Sequence, residues 1–326
     1  MTRIAPSIFR FAALCLAALP WMQQAGAQAY PSKPVRMIVA FPPAGGADIV
    51  ARIVAPHLGQ NLGQQVVVDN RSGAAGIVGT EVAAKSPPDG YTIFLGTLGN
   101  ISVNPMLYKK LPFDVTRDLA PLTLVVKVTF FMYAHPSLPV KSAKELIALA
   151  KAHPGQINYG SSGAGGAPHL AAALFESMAG IKLVHVPYKG SGPEFVDLLG
   201  GHIPLAFDSG LQGISFVKTG KLKALGVLST KRSPLLPDVP AVAETLPGYE
   251  VTNWFGLMIP AATPREIVTR LNVEAVKVLR LPDVRERLAQ QGAEPVGDTP
   301  EEFGAFIKIE SDKWAKVIKS AGITIE

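Results

Sequence analysis

Short apolar, β-rich runs alternate with segments of helical periodicity along most of this chain. The first series has apparent strands and helices in alternation over residues 35–40, 49–62, 66–69, 76–85 and 92–96. A second series has apparent strands at 130–134, 158–159, 183–186 and 205–208, with helical segments at 143–152 and 169–178. Strands that alternate with helices favour a parallel sheet covered by helices. The sequence therefore predicts an α/β protein with two lobes, which a length of 326 residues accommodates.

Capping-box spacing marks three helix starts in this chain. Ser142 is followed by Glu145, Thr263 by Glu266, and Thr299 by Glu302, the last two pairs with proline at the first helical position. After Thr299, apolar residues recur at three- and four-residue steps, namely Phe303, Phe306, Ile307, Trp314, Val317 and Ile318. This stripe predicts a C-terminal helix packed on a core.

Residues 1–27 have the pattern of a secretory signal peptide. Arg3 and Arg10 precede an apolar stretch, and small residues after it predict cleavage following Ala27 or Ala29. The apolar stretch is too short to cross a hydrocarbon core of about 30 Å comfortably, so a membrane anchor is the less favoured interpretation. We therefore expect an exported protein that resides in the periplasm.

Composition argues against several classes of protein. The single cysteine, Cys15, excludes a disulfide framework and any metal cluster held by several thiolates. The formal charge is +6, but the basic residues are scattered with no run longer than a pair, so no nucleic acid partner is expected. The six histidines are too widely spaced to be neighbouring ligands on one helix. Neither a metal nor another cofactor is expected.

The informative chemistry lies where strands end in glycine-rich turns that open helices. Three such turns, at 41–48, 70–76 and 96–100, belong to the first lobe, and one at 159–169 belongs to the second. A helix N-terminus carries about half a positive charge and free N–H donors, so it binds carboxylate or phosphate without a cationic side chain. Tight packing around glycine explains any single turn equally well. Together, the turns should converge on one cleft, because parallel strands end at the same edge of a sheet.

Motifs of the common enzyme classes are missing from the sequence. The segment from Gly160 to Gly163 resembles a nucleophile elbow, but Ala164 stands where the second glycine of Gly-x-Ser-x-Gly is needed. The chain has no phosphate-binding Gly-x4-Gly-Lys loop, no complete Gly-x-Gly-x-x-Gly and no His-Glu-x-x-His motif. An exported enzyme is therefore the least favoured functional class.

Ordered sequence blocks extend along nearly the whole mature chain. They are YPSKPVR at 30–36, FPPAGGAD at 41–48, VVDNRSGAAG at 67–76, PDGYT at 88–92, LPFD at 111–114, YGSSG at 159–163, VPYKG at 186–190 and LPDVP at 236–240. With these blocks the chain resembles the Bug family of extracytoplasmic solute receptors, the binding components of tripartite tricarboxylate transporters. The family usually has one proline before Ala-Gly-Gly, where this chain has Pro42 and Pro43, a minor departure.

The resemblance implies a two-lobed periplasmic-binding-protein fold of the Venus-flytrap kind, type II. Lobe 1 would be discontinuous, comprising residues 28–127 and 253–326, and lobe 2 would comprise residues 128–252. The chain would cross between the lobes near 127–129 and near 252–256, with Trp254 beside the second crossover.

The resemblance also implies a set of ligand-binding residues on the two lobes. Those of lobe 1 would be Ala44, Gly45, Gly46, Gly73, Ala74, Thr97 and Asn100, and those of lobe 2 would be Ser161, Ser162, Gly165, Gly166, His169 and Asp208. For Asp208 two interpretations stay open. Its carboxylate accepts a hydrogen bond from a ligand amine, amide or hydroxyl, or it caps the following helix.

The implied function is capture of a small carboxylate and its delivery to inner-membrane permease subunits, by a monomeric receptor without catalysis. The ligand class stays open between dicarboxylates, tricarboxylates, amino acids and aromatic acids. Phe41 and Tyr188 either flank an aromatic ring of the ligand or pack under their own loops. A periplasmic sensor for a two-component system would have the same fold and cleft, so sequence does not separate it from a transport receptor.

We expect that the exported protein lacks its first 27 or 29 residues, because the charged start, apolar stretch and small residues match a cleaved signal peptide. The intact mass of the protein from the periplasmic fraction will measure this directly. A mature protein that retains Met1 to Gly26 would contradict the prediction.

Overall fold

The computed structural model describes residues 30–323, in which strands and helices alternate along the chain. The strands are β1 (Val35–Val39), β2 (Val66–Asn70), β3 (Thr92–Thr97), β4 (Leu119–Ala134), β5 (Asn158–Ser161), β6 (Val184–Pro187), β7 (Leu205–Ser209), β8 (Lys223–Val227), β9 (Thr252–Pro260) and β10 (Ala293–Pro295). The helices are α1 (Gly46–Leu62), α2 (Ile77–Ala84), α3 (Asn104–Leu107), α4 (Val115–Asp118), α5 (Ala143–Ala152), α6 (Ala167–Ala179), α7 (Ser191–Leu199), α8 (Gly210–Lys218), α9 (Arg265–Arg280), α10 (Pro282–Gln290) and α11 (Pro300–Ala321). This order confirms the predicted α/β class.

The strands join in the order β2-β1-β3-β9-β4-β7-β5-β6, with β8 and β10 also paired to β4. In the first half, β1 is parallel to β2 and β3, and in the second half β5 is parallel to β6 and β7. The long strand β4 connects the two halves. It pairs with β9 from Leu119 to Thr129 and with β7 from Phe130 to Ala134.

Helices cover both faces of the first half of the sheet. Along β1, Val35, Met37 and Val39 pack in one hydrophobic cluster with residues of α1 and α9, whereas Ile38 packs in a second cluster that contains residues of α11. A strand buried on both faces is apolar at successive positions, which explains why Met37, Ile38 and Val39 follow one another without a polar residue. The same layering places the carboxyl ends of β1 and β3 next to the turns that open helices.

The structure confirms two of the three predicted helix caps. The Ser142 hydroxyl accepts a hydrogen bond from the Glu145 amide, and Thr299 and Glu302 form a reciprocal capping box. The prediction for Thr263 is wrong. Its hydroxyl donates to the carbonyl of Pro260, because Thr263 closes the turn after β9 and α9 begins only at Arg265.

The predicted signal peptide, residues 1–27, lies outside the described residues. Within residues 30–323, no helix is long and apolar enough to cross a membrane.

Candidate functional site

A cleft with an empty volume of about 470 Å³ lies where β1, β3 and β9 meet β7 and the turn before α6. The lining residues are Phe41, Gly45, Gly46, Ala47, Thr97, Gly99, Phe130, Ser162, Gly166, Ala167, Pro168, Ser191, Asp208, Ser209, Asn253 and Phe255. Residues from both halves of the sheet therefore form one site.

Four helices begin at this cleft, and no side chain caps them. The lining contains the first residues of α1, α6 and α7, which are Gly46, Ala167 and Ser191, and it contains Ser209, the N-cap of α8. None of the four N-caps makes a side-chain hydrogen bond to the helix that follows it. The first N–H groups of a helix have no partner within the helix, so these ends offer donors to an anion.

Among the described residues that line the cleft, none is lysine, arginine or histidine. The polar side chains are Thr97, Ser162, Ser191, Asp208, Ser209 and Asn253, and the aromatic ones are Phe41, Phe130 and Phe255. A carboxylate bound here must therefore be neutralised by backbone N–H groups and hydroxyls. The remaining wall is apolar and suits the carbon skeleton of a small acid.

A buried carboxylate holds the turn from Phe41 to Gly46 in place. Asp48 is 3% exposed, and its Oδ2 accepts hydrogen bonds from the Ala44 amide at 2.9 Å and from Arg52 Nε at 2.8 Å. The Asn70 amide donates to Asp48 Oδ1 and to the carbonyl of Phe41, both at 3.0 Å. Burial acts to raise the pKa of Asp48, but the hydrogen bonds from Arg52, Ala44 and Asn70 hold it below its usual value. The spacing of Asp48 and Arg52 alone predicts only a surface ion pair.

Two stacked histidines support the corresponding turn before α6. The rings of His169 and His185 lie 4.2 Å apart at an angle of 12°. The Gly165 amide donates to His169 Nδ1 at 3.1 Å, and the Ser161 hydroxyl lies 2.6 Å from His185 Nε2. Burial lowers the pKa of His169 to about 4, and burial together with the neighbouring His169 lowers that of His185 to about 3. Both rings are therefore neutral at pH 7 and position the turn without adding charge.

The structure brings together six of the residues that sequence reasoning assigned to the ligand. Gly45, Gly46, Thr97, Ser162, Gly166 and Asp208 all line the cleft. The carboxylate of Asp208 does not cap α8 in the usual way, because Oδ1 accepts from the adjacent Ser209 amide and Oδ2 is buried without a partner among the described residues.

Another four of the predicted ligand-binding residues lie behind the lining of the cleft and hold its turns in place. The Ala44 amide donates to Asp48. The Ser161 hydroxyl and the Gly165 amide contact the two histidines, one of which is the predicted His169. These residues therefore hold the turns in the conformation that forms the cleft.

The last three predicted residues lie in two turns beside the cleft. The side-chain oxygen of Asn100 accepts from the Thr97 amide at 2.7 Å and so closes the turn after β3. Gly73 and Ala74 belong to a turn with positive φ angles of 143° and 45°. The next residue, Ala75, contacts the turn before α6, since a Cβ on Gly163 would lie 3.6 Å from the Ala75 Cβ. This turn packs against the opposite half of the protein.

Sequence reasoning missed several residues of the lining. Ser191 follows Gly190 at the start of a helix, a pattern like that of the other four turns, so local sequence contained a signal for it. Asn253, Phe255 and Phe130 lie on the paired strands β9 and β4, where no turn or helix start indicates a site. Their position in the cleft depends on long-range strand pairing.

The fold and this cleft are those of a two-lobed periplasmic solute-binding protein. Solved structures of that class are similar to the chain over most of its length. For the periplasmic binding protein BugD, the identity is 36% and the TM-score 0.87 over 91% of this chain and 100% of BugD. For R. palustris Rpa4515 with adipate, the identity is 36% and the TM-score 0.88 over 90% of this chain and 99% of Rpa4515. These similarities confirm the predicted type II fold.

Residues 50–323 match the model of the tripartite tricarboxylate transporter family receptor. The BugT protein of Bordetella pertussis is 38% identical over 328 aligned positions, which cover 100% of this chain and 99% of BugT. The chain therefore belongs to the family of tripartite tricarboxylate transporter receptors, and the resemblance to Bug proteins that the sequence blocks indicated is confirmed.

We expect that Gly46→Val lowers ligand affinity at least tenfold while leaving the melting temperature of the free protein nearly unchanged. A Cβ at Gly46 would lie 3.2 Å from Leu211 Cδ1 and 3.2 Å from Ser209 Oγ, which belong to the opposite half of the site. The branched side chain would therefore hinder approach of the two halves. Calorimetric titration with the carboxylate that stabilises the wild-type protein most will measure the effect, and unchanged affinity would remove this turn from the site.

We also expect the free energy of unfolding to fall as the pH drops from about 6.5 toward 4. In that range unfolded histidines, with an ordinary pKa of 6.5, take up protons that neutral His169 and His185 do not bind in the folded state. Each histidine contributes less than about 1.4 kcal/mol per pH unit, because partial exposure screens the effect. Denaturant unfolding at several pH values should show a shallower slope for His185→Phe. The exposed His153→Gln control should retain the wild-type slope, and equal slopes in all three proteins would contradict the prediction.

Proposed function

We propose that this protein is a periplasmic receptor that captures a small carboxylate and delivers it to the inner-membrane permease of a tripartite tricarboxylate-type transporter. The observation that carries the proposal is the convergence of four uncapped helix N-termini on one cleft without a cationic side chain. Such a site neutralises a carboxylate by backbone donors. The similar protein Rpa4515 has been solved with adipate, a small carboxylate, which agrees with this proposal.

The proposed lobes are those implied by the sequence, with residues 28–127 and 253–326 in lobe 1 and 128–252 in lobe 2. The partners of β4 support this division, because they change from β9 to β7 between Thr129 and Phe130. The register also supports it, because Val128 pairs with Asn253 and both crossovers thus lie side by side. Two adjacent strands are the connection about which the lobes would rotate.

Contacts between the proposed lobes support closure over the ligand. The Gln212 side chain donates to the carbonyl of Ala44 at 2.7 Å, and the Tyr108 hydroxyl donates to the carbonyl of Ala164 at 3.3 Å. Glycine permits close approach between the proposed lobes, since a Cβ on Gly99 would lie 3.4 Å from the Cα of Gly166. Each of these hydrogen bonds joins a side chain of one proposed lobe to a backbone carbonyl of the other, which suits surfaces that separate and rejoin.

A thermal-shift panel of malate, adipate, citrate, glutamate and benzoate tests the capture step. A ligand that binds only the folded state stabilises it by RT ln(1 + [L]/Kd), about 2.7 kcal/mol at a hundredfold excess over Kd. Loss of uptake of the same compound after deletion of the gene, with recovery on complementation, tests delivery to the permease. Binding without any effect on uptake would contradict the delivery role and favour a sensor.

We expect a saturating panel ligand to reduce the radius of gyration in small-angle scattering and to change the emission of Trp254. Trp254 lies in β9 between Asn253 and Phe255, which both line the cleft, and its ring packs against Phe303. A ligand that touches both lobes favours the closed arrangement by its differential affinity for the two states.

A Trp254→Phe variant of the protein without residues 1–29, and therefore without Trp21, should lose the fluorescence response, because the remaining Trp314 is buried on α11 and does not line the cleft. Unchanged scattering and fluorescence at saturation would contradict closure and indicate a rigid pocket.

A further inference from the structure

Two buried carboxyl side chains meet in the wall of the cleft. Glu194, on α7, is 0% exposed, and Asp208, at the end of β7, is 2% exposed. The two acids are close enough that the charge of Asp208 raises the pKa of Glu194. Glycine at position 160 makes room for the pair, since a Cβ there would lie 2.8 Å from Cγ of Glu194. The fold therefore accommodates a second acid directly behind one that lines the site.

The hydrogen-bond donors of the pair are distributed unequally. Asp208 accepts a hydrogen bond from the Ser209 amide. Neither oxygen of Glu194 has a donor among the residues that the structure describes. A buried carboxylate without a donor is costly, whereas a protonated carboxyl can donate to its neighbour. The proton therefore belongs on Glu194 and the negative charge on Asp208.

The surroundings of the pair favour a single shared proton. Burial and the neighbouring Asp208 raise the pKa of Glu194 well above its usual value, and burial also raises that of Asp208 against the opposing hydrogen bonds. The other titratable groups that face the pair are the phenols of Tyr133 and Tyr188, which are neutral. No lysine or arginine of residues 30–323 is among the groups that act on Glu194. Two adjacent acids without a cation cannot both ionise readily.

Two acceptor atoms in the lining have no partner within the described part of the chain. They are Oδ2 of Asp208 and the side-chain oxygen of Asn253, which is 6% exposed. Both residues line the cleft, and a carboxylate oxygen accepts two hydrogen bonds, so Oδ2 can accept from a ligand even where Glu194 donates to it. A ligand carboxylate close to Asp208 would instead bring a second negative charge to a site that holds no cationic side chain.

We infer that Asp208, positioned by Glu194, makes the cleft selective for acids with one carboxylate, an apolar body and a hydroxyl or amino group, over acids with a second carboxylate. The single carboxylate binds at the helix N-termini, and the hydroxyl or amino group donates to Asp208. Phe41, Phe130 and Phe255 enclose the apolar body. This inference rests on the proposed carboxylate-receptor function and names the substrate class of that same site.

Two series of matched acids test the inference by calorimetry on the mature protein. The aliphatic series is hexanoate, 6-hydroxyhexanoate and adipate, and the aromatic series is benzoate, 4-hydroxybenzoate and terephthalate. We expect the hydroxy acid to bind tightest in at least one series, at least tenfold more tightly than the matched diacid. A diacid that binds as tightly or more tightly in both series would overturn the inference and leave the receptor function standing.

Variants of the pair separate the two roles. Asp208→Asn should reduce the preference for the hydroxy acid over the diacid at least tenfold, because the charge that repels the diacid is gone. Glu194→Gln keeps a donor toward Asp208 and should retain the order of affinities. Asp197→Asn, on the same helix, is the matched control and should behave like the wild type. An unchanged preference in Asp208→Asn would overturn the role of Asp208.

Infrared spectroscopy detects the proton on Glu194 in the absence of ligand. The wild-type protein and Asp197→Asn should show the carbonyl stretch of a protonated carboxyl at neutral pH, and Glu194→Gln should lack it. A spectrum without this band in the wild type would overturn the positioning role of Glu194.

The binding experiments separate failure of the inference from failure of the receptor function. If none of the six matched acids binds but citrate, malate or glutamate does, the inferred substrate class is wrong. If no acid of either panel binds, the proposed receptor function itself fails.

Discussion

Helix N-termini without side-chain caps are the constraint on which the candidate site depends. A small anion that leaves water must regain hydrogen bonds, and in this cleft it has no cation to supply them. The N-termini of α1, α6, α7 and α8 meet the need only because the strands before them end at one place. This geometry requires strands that alternate with helices, glycines at the helix starts and an apolar sheet.

Donors of this kind are effective only when the turns that carry them are held still, because ordering a loop on binding costs affinity. The two main turns are fixed in different ways. In the turn before α1 a buried anion, Asp48, accepts hydrogen bonds from Ala44, Arg52 and Asn70. In the turn before α6 the neutral rings of His169 and His185 hold the turn without charge. Asp208 is the one acidic side chain among the described residues that line the cleft.

The sequence predicts those features of the fold that interactions between nearby residues determine. The alternation of strands and helices, the helix cap at Thr299 and the glycine-rich turns are encoded within a few residues, and the structure shows them as expected. Asn253 and Phe130 could not be found in this way, because β9 and β4 reach the cleft through antiparallel pairing across more than a hundred residues. Glu194 was equally hidden, since an acid in the first turn of a helix usually has the ordinary role of favouring the helix dipole.

Because none of the described residues that line the cleft has a cationic side chain, the charge of one buried acid has a large effect on selectivity for the ligand. Next to an arginine or a lysine, Asp208 would form an ion pair, and its charge would be neutralised within the protein. In this lining, with none of these residues, Asp208 keeps its negative charge and acceptor capacity at Oδ2 that a donor on the ligand can use. The proposed recognition of the carboxylate by backbone groups thus leaves specificity to a few side chains. Selectivity among acids then depends on what the rest of the ligand offers to Asp208 and Asn253.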